Sequence, residues 1–505
     1  MLHQGIIGVN YYTEVVSPIF FTLKIYTMLI NKIKSVFLML FVLLMFSSCS
    51  EDEALNFTSD DSSTELTSDQ RQGRGGQGGG NNSDINNSII TDWNDLFLKL
   101  DRYAYGMRPN ATARAIAYIN LAAYETAVPQ MRNLKSNSQN LDGLDIERSE
   151  APRNFNLQLA LNTCYADVLD HFMLNVANNV KDEIEELELV KEESLSRGER
   201  QQVIRDSRNW GAYVAQTIIA YSQTDLAAEE QILEPQPTSY IPPTGDGYWT
   251  FSADPERALF PYWGTARTFV ITPEETTSVP PVAYSTDPSS NYFEQMQEVY
   301  DVNNAAKEEQ NEDLWIAEFW SDDVEGLMMS PPGRQVSIAN QLIKQKNVSL
   351  QESLVLFLKL GFSLNDAAVS AWADKYEHMV MRPNVFIHEF IDDGFQTNLF
   401  RLVYWPNPSF PGYPSGHSCF ASAAAGIFQD AFGDNTRFTD RSHEGRTEFQ
   451  GTARTFSTFS EMAEENAYSR IPLGVHVRMD CDEGYRLGYE ISDAVNRLEL
   501  GRESS

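Results

Sequence analysis

The chain reads as a mostly α protein built as helical bundles, and three observations predict this. Small and apolar residues recur at helical spacing from Trp93 to about Ala227, and helical patterns return from Tyr292 to the end. No strand-like alternation of any length breaks them. The 505 residues, 42 % of them hydrophobic, suffice for a large core arranged as two packed sub-domains. The composition also limits function. With 38 Lys plus Arg against 71 Asp plus Glu, the formal charge is −33. That balance argues against nucleic acid or an anionic membrane surface as a partner.

Residues 1–49 are expected to be a secretion signal. Lys32 and Lys34 precede an apolar run from Val36 to Phe46, too short to span a bilayer comfortably. The run ends in Phe46-Ser47-Ser48-Cys49, which resembles a bacterial lipobox with Cys49 as the lipidated residue. Met28 is a candidate true start, because nothing before it fits a signal layout. Residues 50–89, rich in Ser, Asp, Gly and Asn, cannot bury a core and read as a flexible tether. The expected location is therefore the outer membrane, held only through a lipid on Cys49 and exposed on its surface. No membrane span is read after Cys49. Cys164, Cys419 and Cys481 have neither disulfide nor metal spacing and read as buried thiols.

Residues 90–290 form an N-terminal helical region. The stretch Arg114 to Val128 is rich in small residues that let helices approach closely, and Lys181 to Arg208 is a charged, solvated helix or helix pair. Residues 232–290 become Pro-rich and aromatic, a long loop of the kind that often covers a functional site. Residues 291–505 form a C-terminal helical domain. Ser349 with Glu352 makes a capping box, Ser363 with Asp366 is expected to open a further helix running to Arg382, and Asp480 with Glu483 to cap the last. Gly484 and Gly488 in that last helix predict close packing.

Three motifs in this domain carry chemistry. Lys375 and Arg382, seven residues apart on one predicted helix, would sit on one face about 10 Å apart and converge on an oxyanion. Trp372 shares that face. Pro414-Ser415-Gly416-His417 precedes a small, apolar helical run, so Ser415 and Gly416 fall at a helix N-terminus, where free N–H groups favour an anion. His417 is then placed for proton exchange. In Ser469-Arg470-Ile471-Pro472-Leu473-Gly474-Val475-His476, a guanidinium is followed on an irregular turn by an imidazole suited to be a ligand or nucleophile. Taken singly, each motif is more often a solvated face, a helix cap or a core histidine. Together they supply three cations, an anion cradle and two imidazoles within an acidic chain, an inventory for one enclosed phosphate or vanadate.

In order and spacing these motifs resemble the signature of the vanadium haloperoxidase and type 2 phosphatidic-acid phosphatase superfamily. The resemblance implies two packed four-helix-bundle-like halves and a vanadate cofactor. Lys375, Arg382, Ser415, Gly416 and Arg470 would bind its equatorial oxygens, His476 would be the axial metal ligand, and His417 the acid–base group. It further implies oxidation of halide by hydrogen peroxide to hypohalous acid, with Lys375 polarising the peroxide. Trp372 and Phe410 match aromatic positions of the halide pocket in chloroperoxidase-like members, which favours haloperoxidase over phosphatase. A mostly apolar pocket lowers the desolvation cost first for large halides, so iodide or bromide is expected. The segment Trp315 to Asp323, with Pro331-Pro332-Gly333 after it, also resembles a haloperoxidase stretch. Within it Asp322 or Asp323 is the expected carboxylate partner of His417. The alternative within the superfamily is a secreted acid phosphatase using His476 as nucleophile.

Overall fold

A computed structural model describes residues 87–501, except 132, 253–255, 323 and 404–406. The expected signal, lipobox and most of the expected tether lie outside the described residues, as does Asp323. The N-terminal region contains helices α1 (Ser88–Arg102), α2 (Asn110–Ala127), α3 (Leu157–Phe172), α4 (Asn178–Leu195), α5 (Gln201–Ser222) and α6 (Leu226–Leu233). The C-terminal region contains α7 (Asn291–Glu309), α8 (Glu312–Phe319), α9 (Pro331–Lys346), α10 (Leu350–His378), α11 (Pro383–Phe390), α12 (Phe400–Val403), α13 (Gly416–Phe432), α14 (Phe459–Tyr468), α15 (Arg470–Leu473) and α16 (Arg478–Asn496). In the first bundle α2 packs on α3 and α5; in the second α13 packs on α16 and α14. Helix α10 lies between them, against both α2 and α13.

The small-residue stretch behaves as its composition demands. Every residue of α2 is buried, and a Cβ at Gly361 of α10 would stand 2.9 Å from the Ala117 Cα. Such backbone contact leaves no room for a side chain. The last helix uses the same device. A Cβ at Gly484 would lie 2.3 Å from the Ser415 carbonyl oxygen, and one at Gly488 would lie 2.2 Å from the Cys419 carbonyl. These two glycines seat α16 directly on the start of α13, where the anion motif sits.

Helix α10 corrects two expectations. It begins at the capping box of Ser349 and Glu352, but runs unbroken through Ser363 and Asp366 for 29 residues. Those two side chains, which spell a cap, bond other elements instead. Ser363 donates to the Ala423 carbonyl, and Asp366 accepts the N–H groups of Phe269, Val270 and Ile271. The helix then stops at Met379 (φ 50°), before Arg382. Residues beyond it pair with backbone: Trp249 N–H donates to the Met379 carbonyl, Met381 N–H to Gly247, and Gly412 N–H to Val380. Arg382 becomes the N-cap of α11, with Pro383 at the first helical position. By length and composition α10 could also cross a membrane, so the reading of no such segment after Cys49 fails on that measure. Here it is a core helix, buried over most of its length.

A short antiparallel ribbon is a further correction. Strands β1 (Phe438–Asp440) and β2 (Arg454–Phe456) pair with Phe438 opposite Phe456. Three residues each are too few for alternation to register in a sequence. The Pro-rich loop is clamped along α10 by Asp366 and by Asp374, which accepts from Ser278 N–H and hydroxyl, while Glu483 of α16 accepts Val279 N–H. Burial pushes the Asp366 carboxyl up to about 6 against those hydrogen bonds. Cys164, Cys419 and Cys481 are buried free thiols, as read from their spacing.

Candidate active site

The three motifs meet where the C-terminal end of α10, the N-terminus of α13 and the turn after α15 converge. One cavity of about 230 Å³ is lined by Trp372, Phe410, Gly416, His417, Arg470 and His476, together with Pro235 and Leu259 of the Pro-rich loop. The loop therefore forms part of the wall of the site. Lys375, Arg382 and Ser415 are fully buried beside it rather than among its lining residues.

His476 owes its place to Gly474 (φ 90°), which ends the one-turn helix α15 in a conformation that costs a glycine little. Its Nδ1 lies 2.9 Å from Asp480 Oδ2, which also accepts Val477 N–H at 3.3 Å. A carboxylate at Nδ1 fixes the ring with its lone pair at Nε2. That nitrogen faces Arg382 Nη1 at 3.1 Å. Burial first, then Arg382, Lys375 and Arg470, push the imidazole well below its usual range, so it is held neutral. The expected cap of Asp480 with Glu483 does not form. Helix α16 begins two residues earlier, at Arg478, and Glu483 accepts from Val279 and Arg486 instead. The spacing of His476 and Asp480, four residues apart, was the available signal for their pairing.

The cations are set by carbonyl oxygens. Lys375, in the last turn of α10, donates to the carbonyls of Gly412 (2.9 Å), Pro411 (3.1 Å) and Pro414. Arg382 donates to the carbonyls of Val475 (2.8 Å) and Phe410 (2.9 Å). Arg470 donates to those of Trp320 (3.0 Å) and Ser321 (3.4 Å). Burial and the neighbouring Arg382 hold the Lys375 ammonium well below its ordinary value. Ring faces complete the wall. Trp372 and Phe410 lie 4.8 Å apart between centroids, with Lys375 Nζ 5.2 Å from the Phe410 centroid and Arg382 Cζ 5.0 Å from it.

At the N-terminus of α13, Ser415 is the N-cap and Gly416 the first helical residue. A Cβ at 416 would fall 3.1 Å from the Trp372 ring and 3.9 Å from Lys375 Cε, filling space between the helix N-terminus and the lysine. His417 donates from Nε2 to the Ser321 carbonyl at 3.0 Å. Of its expected acidic partners, Asp322 is instead bonded to Arg334 at 2.8 Å and lies 3.4 Å from His443, and Asp323 is outside the described residues.

The donor set suits a tetrahedral, multiply charged oxyanion. Three buried cations crowd a neutral imidazole and all push it down, Arg382 also lowering the lysine, and a bound anion would relieve that repulsion. Vanadate fits these residues, since its oxygens suit guanidinium forks and helix N–H groups and its metal suits a neutral imidazole nitrogen.

In sequence and in fold the chain is similar to known proteins. Residues 355–500 match the family model of the second helical-bundle domain of vanadium chloroperoxidase. The chain is 26 % identical over 223 residues to vanadium chloroperoxidase of Curvularia inaequalis, a match covering 32 % of this chain and 35 % of that relative. The match thus spans about a third of the relative's length. The crystal structure of a bacterial vanadium-dependent iodoperoxidase superposes with a TM-score of 0.72 at 26 % identity, covering 83 % of this chain and 99 % of that one. A bacterial vanadium-dependent chloroperoxidase, in its apo form, gives a TM-score of 0.58 at 16 % identity over 77 % of this chain and 94 % of its own, a likeness of fold alone.

Proposed function

The chain belongs to the vanadium haloperoxidase superfamily, and from that premise we propose that it is a vanadate-dependent enzyme oxidising halide with hydrogen peroxide to hypohalous acid. The observation that carries this reading is the aromatic pair at the cations. Trp372 and Phe410 set ring faces beside Lys375 and Arg382 in the same wall that holds Arg470 and His476. A site that only cleaves phosphate esters has no need of a desolvating aromatic wall there, whereas a halide must shed water to react.

Arg382, Arg470, Ser415, the Gly416 N–H and Lys375 would hold the oxyanion, and His476 Nε2 would be its protein ligand to the metal. When bound, vanadate supplies the Lewis acidity that activates peroxide. The chain does the rest. Asp480 keeps the His476 proton on Nδ1, so Nε2 can coordinate. His417 carries a proton on Nε2 and exchanges protons with the peroxide as acid–base group. Lys375, gripped by three carbonyls, contributes fixed positive charge. Trp372 and Phe410 exclude water and lower the cost of desolvation first for large, weakly hydrated anions.

Iodide should therefore be the best substrate, bromide next and chloride poor. Protein freed of metal should gain iodide oxidation when orthovanadate is added with peroxide, and excess phosphate should compete. Phe410→Leu or Trp372→Leu should change the iodide-to-bromide ratio about tenfold while vanadate affinity shifts less. Rapid phosphate monoester hydrolysis with no halide oxidation would replace this reading with the phosphatase one, His476 then acting as nucleophile.

A further inference from the structure

The wall that receives Arg470 and His417 is itself held from behind. Arg334, at the start of α9, is wholly enclosed, as are Asp322, Asp440 and His443 around it. Its guanidinium is used at all three nitrogens. Nη2 donates to Asp322 Oδ1 at 2.8 Å and to the Phe319 carbonyl, Nε donates to Asp322 Oδ2 at 3.2 Å, and Nη1 donates to Asp440 Oδ2 at 3.1 Å. His443 Nε2 abuts Nη2, and the rings of Phe319 and Trp320 lie 4.7 and 5.0 Å from Cζ.

The pattern of attachment is informative. Arg334 bonds Phe319 at one end of a four-residue segment and Asp322 at the other, so Trp320 and Ser321 are bracketed between two fixed points. Those two residues supply the carbonyls that Arg470 meets, and Ser321 supplies the one that His417 meets. Asp322 adopts a left-handed backbone (φ 43°), a strained conformation for a residue with a side chain, which persists only where the surroundings impose it. Its bidentate bond to Arg334 is such a constraint. Asp440 is fixed in turn by Ser442 N–H at 2.8 Å and by its place in the ribbon.

We propose that Arg334 is a positioning residue of the anion pocket: it pins the Phe319–Asp322 segment so that the Trp320 and Ser321 carbonyls aim the Arg470 guanidinium at the oxyanion and hold His417 beside it. This rests on the oxyanion reading of the pocket and not on halide chemistry. Arg334 touches neither oxyanion nor substrate, so its effect must pass through Arg470 and His417.

A double-mutant cycle on vanadate-free protein, with orthophosphate as the probe in calorimetry, tests that route. Arg334→Lys keeps the charge but loses the fork. It should weaken orthophosphate about tenfold in the otherwise native chain, and less than about threefold when Arg470 is already Lys. Equal losses in both backgrounds, or no loss in a variant that melts cooperatively, would overturn the proposal. Should Arg334→Lys not fold, Asp440→Asn runs the same cycle, since it loosens the guanidinium while leaving Asp322 bonded. Absence of halide oxidation with phosphate coupling intact would remove the haloperoxidase reading and leave this one standing.

Discussion

Two buried guanidinium sites stand back to back across residues 319–322, and they are built on opposite principles. Arg334 is met by two carboxylates, Asp322 and Asp440, at 2.8 and 3.1 Å. Burial alone would raise the Asp322 carboxyl, but the Arg334 charge and the His443 hydrogen bond outweigh it and hold it at about 2. Arg470, across the segment, meets carbonyl oxygens of Trp320 and Ser321, and Arg382 meets those of Phe410 and Val475. A carbonyl orients a guanidinium without cancelling its charge. The first site is enclosed away from the cavity, and the second sets Arg470 in the cavity wall, where an anion can reach it. Access to the cavity, more than burial, distinguishes a structural cation from a binding one.

Breaking that comparison should give the largest effects. His476→Ala should abolish vanadate retention, read as vanadium content after dialysis, while His417→Ala leaves retention largely intact and slows turnover. Equal loss of vanadium in both variants would contradict the separate settings of the two rings. Next come the two arginines. Arg334→Met strands two buried carboxylates and should cost about 3–5 kcal/mol in denaturant unfolding. Arg470→Met, in the cavity wall, should cost less stability than Arg334→Met while anion affinity collapses. Similar stability losses for both would erase the distinction. The smallest expected effect is on the frame. Gly484→Ala forces a methyl toward the Ser415 carbonyl, and should cost about 1–3 kcal/mol and weaken orthophosphate binding through the displaced N-terminus of α13.

Much of the site was legible in linear order because its chemistry is local. Ser415 and Gly416 open a helix whose small residues follow at once, and Gly474 turns the chain before His476, so cradle and imidazole both sit where short-range rules put them. Gly484 and Gly488 announced close packing for the same reason. The error over Arg382 is equally instructive. Helical periodicity continues past His378, but pairing of residues 379–381 with 247–249 and with Gly412 ends the helix. The contacts with 247–249 come from more than a hundred residues upstream, in a loop that reads as formless.

By itself, then, the sequence determined the helical class, the inventory of three cations and two imidazoles, and the local geometry of the helix cap and the turn. These follow from periodicity, from capping chemistry and from glycine's freedom at positive φ. Only the tertiary structure decided which partner each charge receives. Asp366 left its role as a cap to hold a loop, Asp440 came to Arg334 from far along the chain, and Asp322 went to Arg334 rather than to His417. A buried carboxylate is bound by whichever donor the packing brings within about 3 Å, and that choice is made between elements far apart in the chain.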